Sequence, residues 1–285
     1  MPDPLPATPD APTVLAVTVA YSSAHVIGAM AASLPPGVRL AVVDNGPDDG
    51  ARAWARAAGH LLVEPGRNLG FGTACNRGAA AADSDFLLFI NPDARLAPGA
   101  LAALLDAARA HPEASAFGPA VCRADGSVYR YRPSILLGRA AALKYRARPQ
   151  RVTAVPSLNG ACFLVRRAAF AAVGGFDEKI FLFFEDDDLS LRLSETQGPL
   201  LYVPTARVEH ASGGSSVERP ETARLKGFHY AWSYVYIQRK RGRRLAWPRA
   251  ALRVLRRLIS ARMVKSPPYR NYALGQWKGL MASLR

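Results

Sequence analysis

What most restricts the fold of this chain is a rhythm running from Val14 to His111, in which short apolar runs alternate with segments of helical periodicity. Val14–Ala20, Val38–Val43, His60–Glu64 and Phe86–Ile90 read as buried strands bounded by turn formers. Ala24–Leu34, Asp48–Ala58, Gly70–Ala82 and Pro98–His111 read as helices, with Pro98 at a helix start. Strands that alternate with helices need crossovers, so the rhythm predicts a parallel sheet with right-handed connections. After about residue 115 it stops. Phe117–Cys122 and Val128–Arg132, joined through Asp125-Gly126, predict a hairpin whose first arm Pro119 restricts to a sheet edge. Arg139–Pro156 reads as a basic, mobile surface loop and Ala161–Val165 as a further buried strand. Residues 211–220, with Gly213, Gly214, Ser215 and Ser216, read as a hinge or lid.

Acidic residues gather where these elements end or begin. Val38–Val43 runs into Asp44-Asn45-Gly46-Pro47, and Phe86–Ile90 into Asn91-Pro92-Asp93. Carboxyl ends of strands are where open α/β sheets bind ligands, so both places suit a nucleotide or a metal; Asx residues also form turns by bonding their own backbone. A third cluster, Glu185-Asp186-Asp187-Asp188, opens an amphipathic segment behind Phe181, Phe183 and Phe184. A carboxylate beside an apolar wall has its pKa raised toward that of a general base, and the same acids equally suit a first helical turn, with Gly198 as the stop signal. His210 stands alone downstream.

With 285 residues and 49% hydrophobic content, the chain has enough apolar material for one α/β domain and an appendage. No apolar run reaches the ~20 residues needed to span a bilayer, and Met1-Pro2-Asp3-Pro4 lacks the basic start of a signal peptide, so a cytoplasmic protein is expected. Cys75, Cys122 and Cys162 are scattered, which argues against a disulfide framework or a zinc knuckle. The +15 net charge is concentrated: residues 239–285 hold fourteen of the 37 Lys and Arg and no acid, leaving 23 basic and 22 acidic residues before them. A helical wheel over Arg249–Lys265 sets Arg249, Arg253, Arg256 and Arg257 against Leu252, Leu255, Leu258 and Ile259. Such a helix suits an anionic membrane surface; nucleic acid and packing on the body are the competing partners.

The motifs taken together resemble the family 2 glycosyltransferases of the GT-A fold, and within them a bacterial rhamnosyltransferase-like branch. The resemblance runs in order through Val17–Ser23, Val42–Asn45, Arg67–Gly72 with Asn76-Arg77-Gly78, Asn91-Pro92-Asp93, Asn159-Gly160-Ala161, Gly175–Glu178, Glu185–Leu189 with Arg192, and Val208-Glu209-His210. It implies a mostly parallel central sheet flanked by helices. It also implies a catalytic domain over 13–220 (nucleotide-binding half 13–112, acceptor half 113–220), and composition adds a disordered 1–12 and a basic helical extension over 221–285.

The roles implied by the resemblance fit the chemistry of the residues. Asp44 would accept from the imide N–H of uracil or thymine, Arg67 would hold base or phosphate, and Ala20 and Tyr21 would line the base pocket. Asn91-Pro92-Asp93 stands where the wider fold carries Asp-x-Asp, so Asp93 and His210 would hold Mg²⁺ or Mn²⁺ on the donor diphosphate. Asp186 would be the catalytic base, with Glu185 as the second candidate, in a displacement that inverts the anomeric carbon. The partners implied are a nucleoside-diphosphate sugar, a glycan or polyprenyl-linked acceptor and an anionic membrane at the inner face, with no nucleic acid. Gln238-Arg239-Lys240-Arg241 is followed by Gly242, not the Trp of processive synthases, so one sugar per encounter is expected. A sugar nucleotidyltransferase and a basic binding module with a silent body remain as alternatives.

Overall fold

The computed structural model describes residues 12–129, 149–211 and 220–284. Residues 1–11 of the expected disordered start, residues 139–148 of the expected loop, the hairpin arm beyond Tyr129 and residues 212–219 of the expected lid lie outside them. Nine strands among the described residues form one sheet in the order β3-β2-β1-β4-β8-β6-β9-β5, with β7 also on β9. They are β1 Val14–Ala20, β2 Arg39–Asp44, β3 Leu61–Val63, β4 Phe86–Ile90, β5 Ala94–Leu96, β6 Ala116–Cys122, β7 Thr153–Val155, β8 Cys162–Arg166 and β9 Leu200–His210. Helices α1 Ala24–Ala31, α2 Ala51–Ala57, α3 Phe71–Ala79 and α4 Ala100–Ala110 follow the early strands; α5 Arg167–Ala172 and α6 Glu185–Thr196 follow β8.

Because side chains alternate across a strand, a run that is apolar at every position must be covered on both faces. In β4, Phe86, Leu88 and Ile90 join a core under α1, α2 and α4, which adds Ile27, Met30, Ala55 and Leu104. Leu87 and Phe89 point the other way, into a core with Ala74 and Cys75 of α3 and Leu189 and Leu193 of α6. The expected parallel order holds for β3-β2-β1-β4. Beyond β4 the directions mix, since β8 runs antiparallel to β4 and β6 while β6 and β9 are parallel.

Three local expectations change. The strand carrying Pro119 lies inside the sheet, between β8 and β9, and not at its edge. Its register with β9 shifts between Pro119 and Ala120, from partner Val203 to Arg207, so Pro119 and Pro204 both fall where the ladder is broken and no N–H is required. Among the described residues, the hairpin after it is one bridge, Cys122 to Val128. Within the expected mobile loop, Thr153–Val155 is ordered as a strand on β9.

The C-terminal segment forms α7 Pro220–Lys240, α8 Ala246–Leu258, α9 Arg262–Lys265 and α10 Pro267–Ala282. No helix among the described residues is long and apolar enough to cross a membrane. A third core joins Ile180, Phe184 and Leu191 to Tyr234, Val235, Ile237, Val254 and Leu280, so these helices are packed on the body. Helices α7 and α10 touch backbone to backbone: a Cβ on Gly227 would lie 2.1 Å from the Tyr272 carbonyl, and one on Gly275 2.1 Å from that of Arg224. The wheel drawn over 249–265 does not describe one helix. It ends at Leu258; its buried face is Ala246, Ala250, Ala251 and Val254, and Leu252, Leu255 and Ile259 face outward.

Candidate active site

Strand β1 pairs with β2 on one side and β4 on the other, so the chain order reverses direction across the sheet at this pair of neighbours. Loops leaving the carboxyl ends of β1 and β4 diverge there, which makes room for a ligand. A cleft of ≈ 230 Å³ lies at this place. It is lined by Val19 and Tyr21 from β1 and its loop, Asn45 after β2, and Asn91 and Pro92 after β4. Asn68, Gly70 and Phe71 contribute from the start of α3, Phe181 and Leu182 from the segment before α6, and Thr222, Leu225 and Lys226 from α7.

Ala20 and Asp44 are register partners at the ends of β1 and β2, directly before the cleft residues Tyr21 and Asn45. Asp44 is buried, and its Oδ2 accepts from Arg52 Nε at 2.9 Å with Arg52 Nη2 at 2.7 Å. Asn45 Oδ1 accepts from the Leu69 N–H at 2.7 Å, while its amide donates to Asn68 Oδ1 at 3.0 Å. These two asparagines therefore shape the turn into α3. Arg67 is exposed and does not line the cleft, so the structure does not join it to the other expected donor residues.

Antiparallel pairing of β5 with β9 sets Ala94 opposite His210 and so brings Asp93 beside it. His210 Nε2 lies 3.2 Å from Asp93 Oδ1 and 3.4 Å from Asn91 Nδ2. No group of three or more His, Cys, Asp or Glu in metal-binding range exists among the described residues. One buried carboxylate and one imidazole beside a cleft still fit a divalent cation that takes its other ligands from phosphate oxygens and water.

The acidic helix begins in an unusual way. Phe183 and Phe184 both have left-handed backbones, φ +68° and +70°, which for non-glycine residues cost on the order of 1–3 kcal/mol each. Rings from α7 hold this kink: Tyr230 lies 5.6 Å from Phe183 and 5.1 Å from Phe184, and Tyr234 6.0 Å from Phe184. Glu185 and Asp186 follow the kink as the first two residues of α6, and successive helical positions point in different directions. Glu185 is 7% exposed, and its Oε2 has no hydrogen-bond partner. Asp186 is half-buried and accepts from the Gly160 N–H at 3.0 Å and the Asp187 N–H at 2.9 Å. The loop of Gly160 also holds the cleft, because the Ala161 carbonyl accepts from the Asn91 N–H at 2.9 Å. A Cβ at 160 would lie 2.8 Å from Asp186 Oδ2, so only glycine lets this carboxylate sit against the loop.

Burial, and for Glu185 also the charge of Asp186, raises both carboxyls above the usual range, Glu185 well above it. The two N–H bonds to Asp186 oppose its shift by favouring the anion. Neighbouring acids serve as braces. Asp188 is 1% exposed and lies between Arg192 Nε at 2.8 Å and Lys240 Nζ at 3.0 Å. Lys240 also reaches Asp177 at 2.6 Å, and the Tyr236 hydroxyl donates to Asp177 at 2.9 Å. Burial pushes Asp177 up, but these bonds, Lys240 first, leave it below the usual carboxylate range. Asn76 makes a two-bond clamp with the Phe176 backbone, at 2.9 Å in each direction.

Arg52, Thr222, Leu225, Lys226 and Lys240 were not indicated by the sequence. Arg52 lies eight residues beyond Asp44, where the spacing gives a signal; the others reach the centre only because α7 folds back over it.

Comparison with known proteins identifies the family and the fold. The model of the family described as Glycosyl transferase family 2 matches residues 17–174. A Mycobacterium tuberculosis protein described as N-acetylglucosaminyl-diphospho-decaprenol L-rhamnosyltransferase is 37% identical over 246 residues, 76% of this chain and 78% of its own. Among solved structures, the mannosyltransferase PcManGT from Pyrobaculum calidifontis in complex with GDP-Man and Mn²⁺ has a TM-score of 0.57 at 17% identity, covering 99% of this chain and 89% of that one. GalNAc-T7 with UDP, GalNAc and Mn²⁺ has a TM-score of 0.57 at 15% identity over 79% of this chain, which spans about half, 51%, of that protein. Those two likenesses establish the GT-A fold, while the family match across more than half of the sequence and the mycobacterial relative across three quarters of it make this chain a member of the family 2 glycosyltransferases.

Proposed function

We propose that the enzyme transfers one sugar per encounter, with inversion, from a UDP- or dTDP-sugar, dTDP-rhamnose among them, to a polyprenyl-linked glycan in cell-envelope polysaccharide synthesis. The observation that carries this reading is the Asn159–Ala161 loop, which binds Asn91 of the donor cleft through one residue and Asp186 through the next. A base fixed to the wall of a donor cleft is what a single displacement needs. The acceptor hydroxyl gives its proton to the Asp186 carboxylate as its oxygen bonds to the anomeric carbon, and the bond from that carbon to the diphosphate oxygen breaks. Asp44, Tyr21 and Ala20 are assigned to the base, with Arg52 covering one Asp44 oxygen; Lys226 and Asn91, which line the same cleft, are assigned to the diphosphate. A divalent cation, Mg²⁺ or Mn²⁺, held by Asp93 and His210, would neutralise charge developing on the departing diphosphate. The lipid-linked acceptor and the L-rhamnosyl donor are suggested by the name of the mycobacterial relative. Such an acceptor places the enzyme in peripheral contact with an anionic membrane at its cytoplasmic face.

The test pairs thermal shift with transfer. UDP or dTDP should raise the melting temperature more than GDP does, since a ligand bound only to the folded state stabilises it by about 2.7 kcal/mol at 100 times its Kd. Transfer of rhamnose to a polyprenyl-diphosphate N-acetylglucosamine should follow, stop in excess chelator and fall steeply in His210→Ala. A response to GDP alone would overturn the base assignment, and full turnover in chelator would overturn the metal.

A further inference from the structure

Away from the cleft, large apolar side chains stand exposed along α8, α9 and the turns beside them. Leu245, Leu252, Leu255, Ile259 and Val264 are 58, 51, 47, 83 and 84% exposed. From 245 to 259 their spacing is seven, three and four, so they form one stripe, opposite the Ala246, Ala250 and Val254 face that packs on the body. Exposed Arg249 and Arg256 flank the stripe, Arg262 and Lys265 continue it, and no acid occurs between 239 and 285. A contiguous outward apolar patch of this kind marks an interaction surface.

We infer that this face docks the enzyme on an anionic lipid bilayer: the stripe enters the interfacial region while Arg249, Arg256, Arg262 and Lys265 meet lipid phosphates. The inference rests on the lipid-linked acceptor proposed above and names the surface that reaches it. Charge selects the occupant. A second copy of the chain would bring like charges together, and nucleic acid would pair the cations but leave the leucines in water. Not every arginine of the helix takes part. Arg253 lies over the Tyr234 ring at 5.0 Å and Arg257 over Tyr272 at 5.8 Å, so both belong to the packing of α8 on α7 and α10. Since α7 also carries Leu225 and Lys226 into the cleft, docking sets the orientation of the cleft above the bilayer as well as its distance.

The test is flotation of the full chain with vesicles of phosphatidylcholine, alone or mixed with phosphatidylglycerol. The parent should float with the anionic vesicles and only weakly with neutral ones. Leu252→Ser, Leu255→Ser and Ile259→Ser combined should weaken that binding about tenfold or more, because they remove apolar groups that enter the interface. Arg249→Glu with Arg256→Glu should abolish the preference for anionic lipid. Both variants should melt with the parent and keep transfer to a water-soluble acceptor, which separates failure of docking from failure of the enzymatic reading. The inference is overturned if the parent ignores vesicles, if the triple variant floats as well as the parent, if the parent is a dimer that the triple variant converts to monomer, or if RNA competes the protein off the lipid.

Discussion

Glu185 and Asp186 are adjacent in the chain but differ in what each can do with a proton. Asp186 receives two backbone N–H bonds that favour its anion, whereas Glu185 is buried with Oε2 unpartnered. Burial and the charge of Asp186 hold Glu185 well above the usual carboxylate range, while the two N–H bonds favour the anion of Asp186, which suits the proposed role of Asp186 as the base. Asp186→Asn should therefore lower kcat by about 100-fold or more with donor affinity unchanged, and isothermal titration beside a transfer assay checks both. Gly160→Ala crowds the same oxygen from 2.8 Å and should lower kcat about tenfold at constant donor affinity; a lower melting temperature with kcat intact would reduce the loop to a structural part. The sign for Glu185 follows from its raised pKa. Its proton contributes stability below the unfolded pKa, and that contribution is lost as pH rises through the folded one. Glu185→Gln has nothing to lose, so it should melt about 3 °C or more above the parent near pH 8, with the gap closing toward pH 5. A gap independent of pH would place the titration elsewhere.

Besides the apolar packing of α7 on α6, one ammonium group of α7 ties the first turn of α6 to the segment before it. Lys240 bridges Asp177 and Asp188, and Asp188 is 1% exposed, so removing the lysine leaves a buried carboxylate with Arg192 as its remaining cation. Breaking a buried pair costs about 3–5 kcal/mol; with Lys240 itself 32% exposed, Lys240→Met should fall near the lower end. Urea unfolding should show the loss, kcat should drop with the shifted helix, and Lys240→Arg should recover part of both. An unfolding midpoint equal to that of the parent would remove the brace from the account. Elements of this kind divide by how local their signal is. Strands β1, β2 and β4 were legible because both faces are buried and each run is almost wholly apolar, and Asp44, Asn91 and Asp93 were legible because they stand at or just after the ends of those runs. Strand β9 was not, since Pro204 interrupts its apolar start and only Ala206 and Val208 alternate inward after it. Glu185 to Asp188 read as one acidic cluster. Its different environments depend on the left-handed turn at Phe183 and Phe184, which packs against rings more than 45 residues away.

At the scale of the whole molecule, the cleft and the C-terminal helices are parts of one packed body. Helix α7 lines the cleft with Thr222, Leu225 and Lys226, and α10 holds α7 in place through glycines on both sides of the contact. Arg224 is the point of transmission, because its carbonyl would lie 2.1 Å from a Cβ on Gly275, and Leu225 and Lys226 follow it in the chain. None of this could be read locally: Gly275 stands about fifty residues from the cleft residues it supports, and glycine within a helix looks only like a weakness. The weakness provides the test. In an exposed helix, Gly→Ala stabilises by about 0.8–1.0 kcal/mol. Here the added methyl must push α10 off α7, and overpacking typically costs about 1–3 kcal/mol. Gly275→Ala should therefore lower the melting temperature and, by moving Leu225 and Lys226, raise the donor KM several-fold while leaving kcat at saturating donor close to that of the parent. The change in sign separates the two cases: a variant that melts above the parent would show that α10 does not seat α7 against the cleft, whatever becomes of its KM.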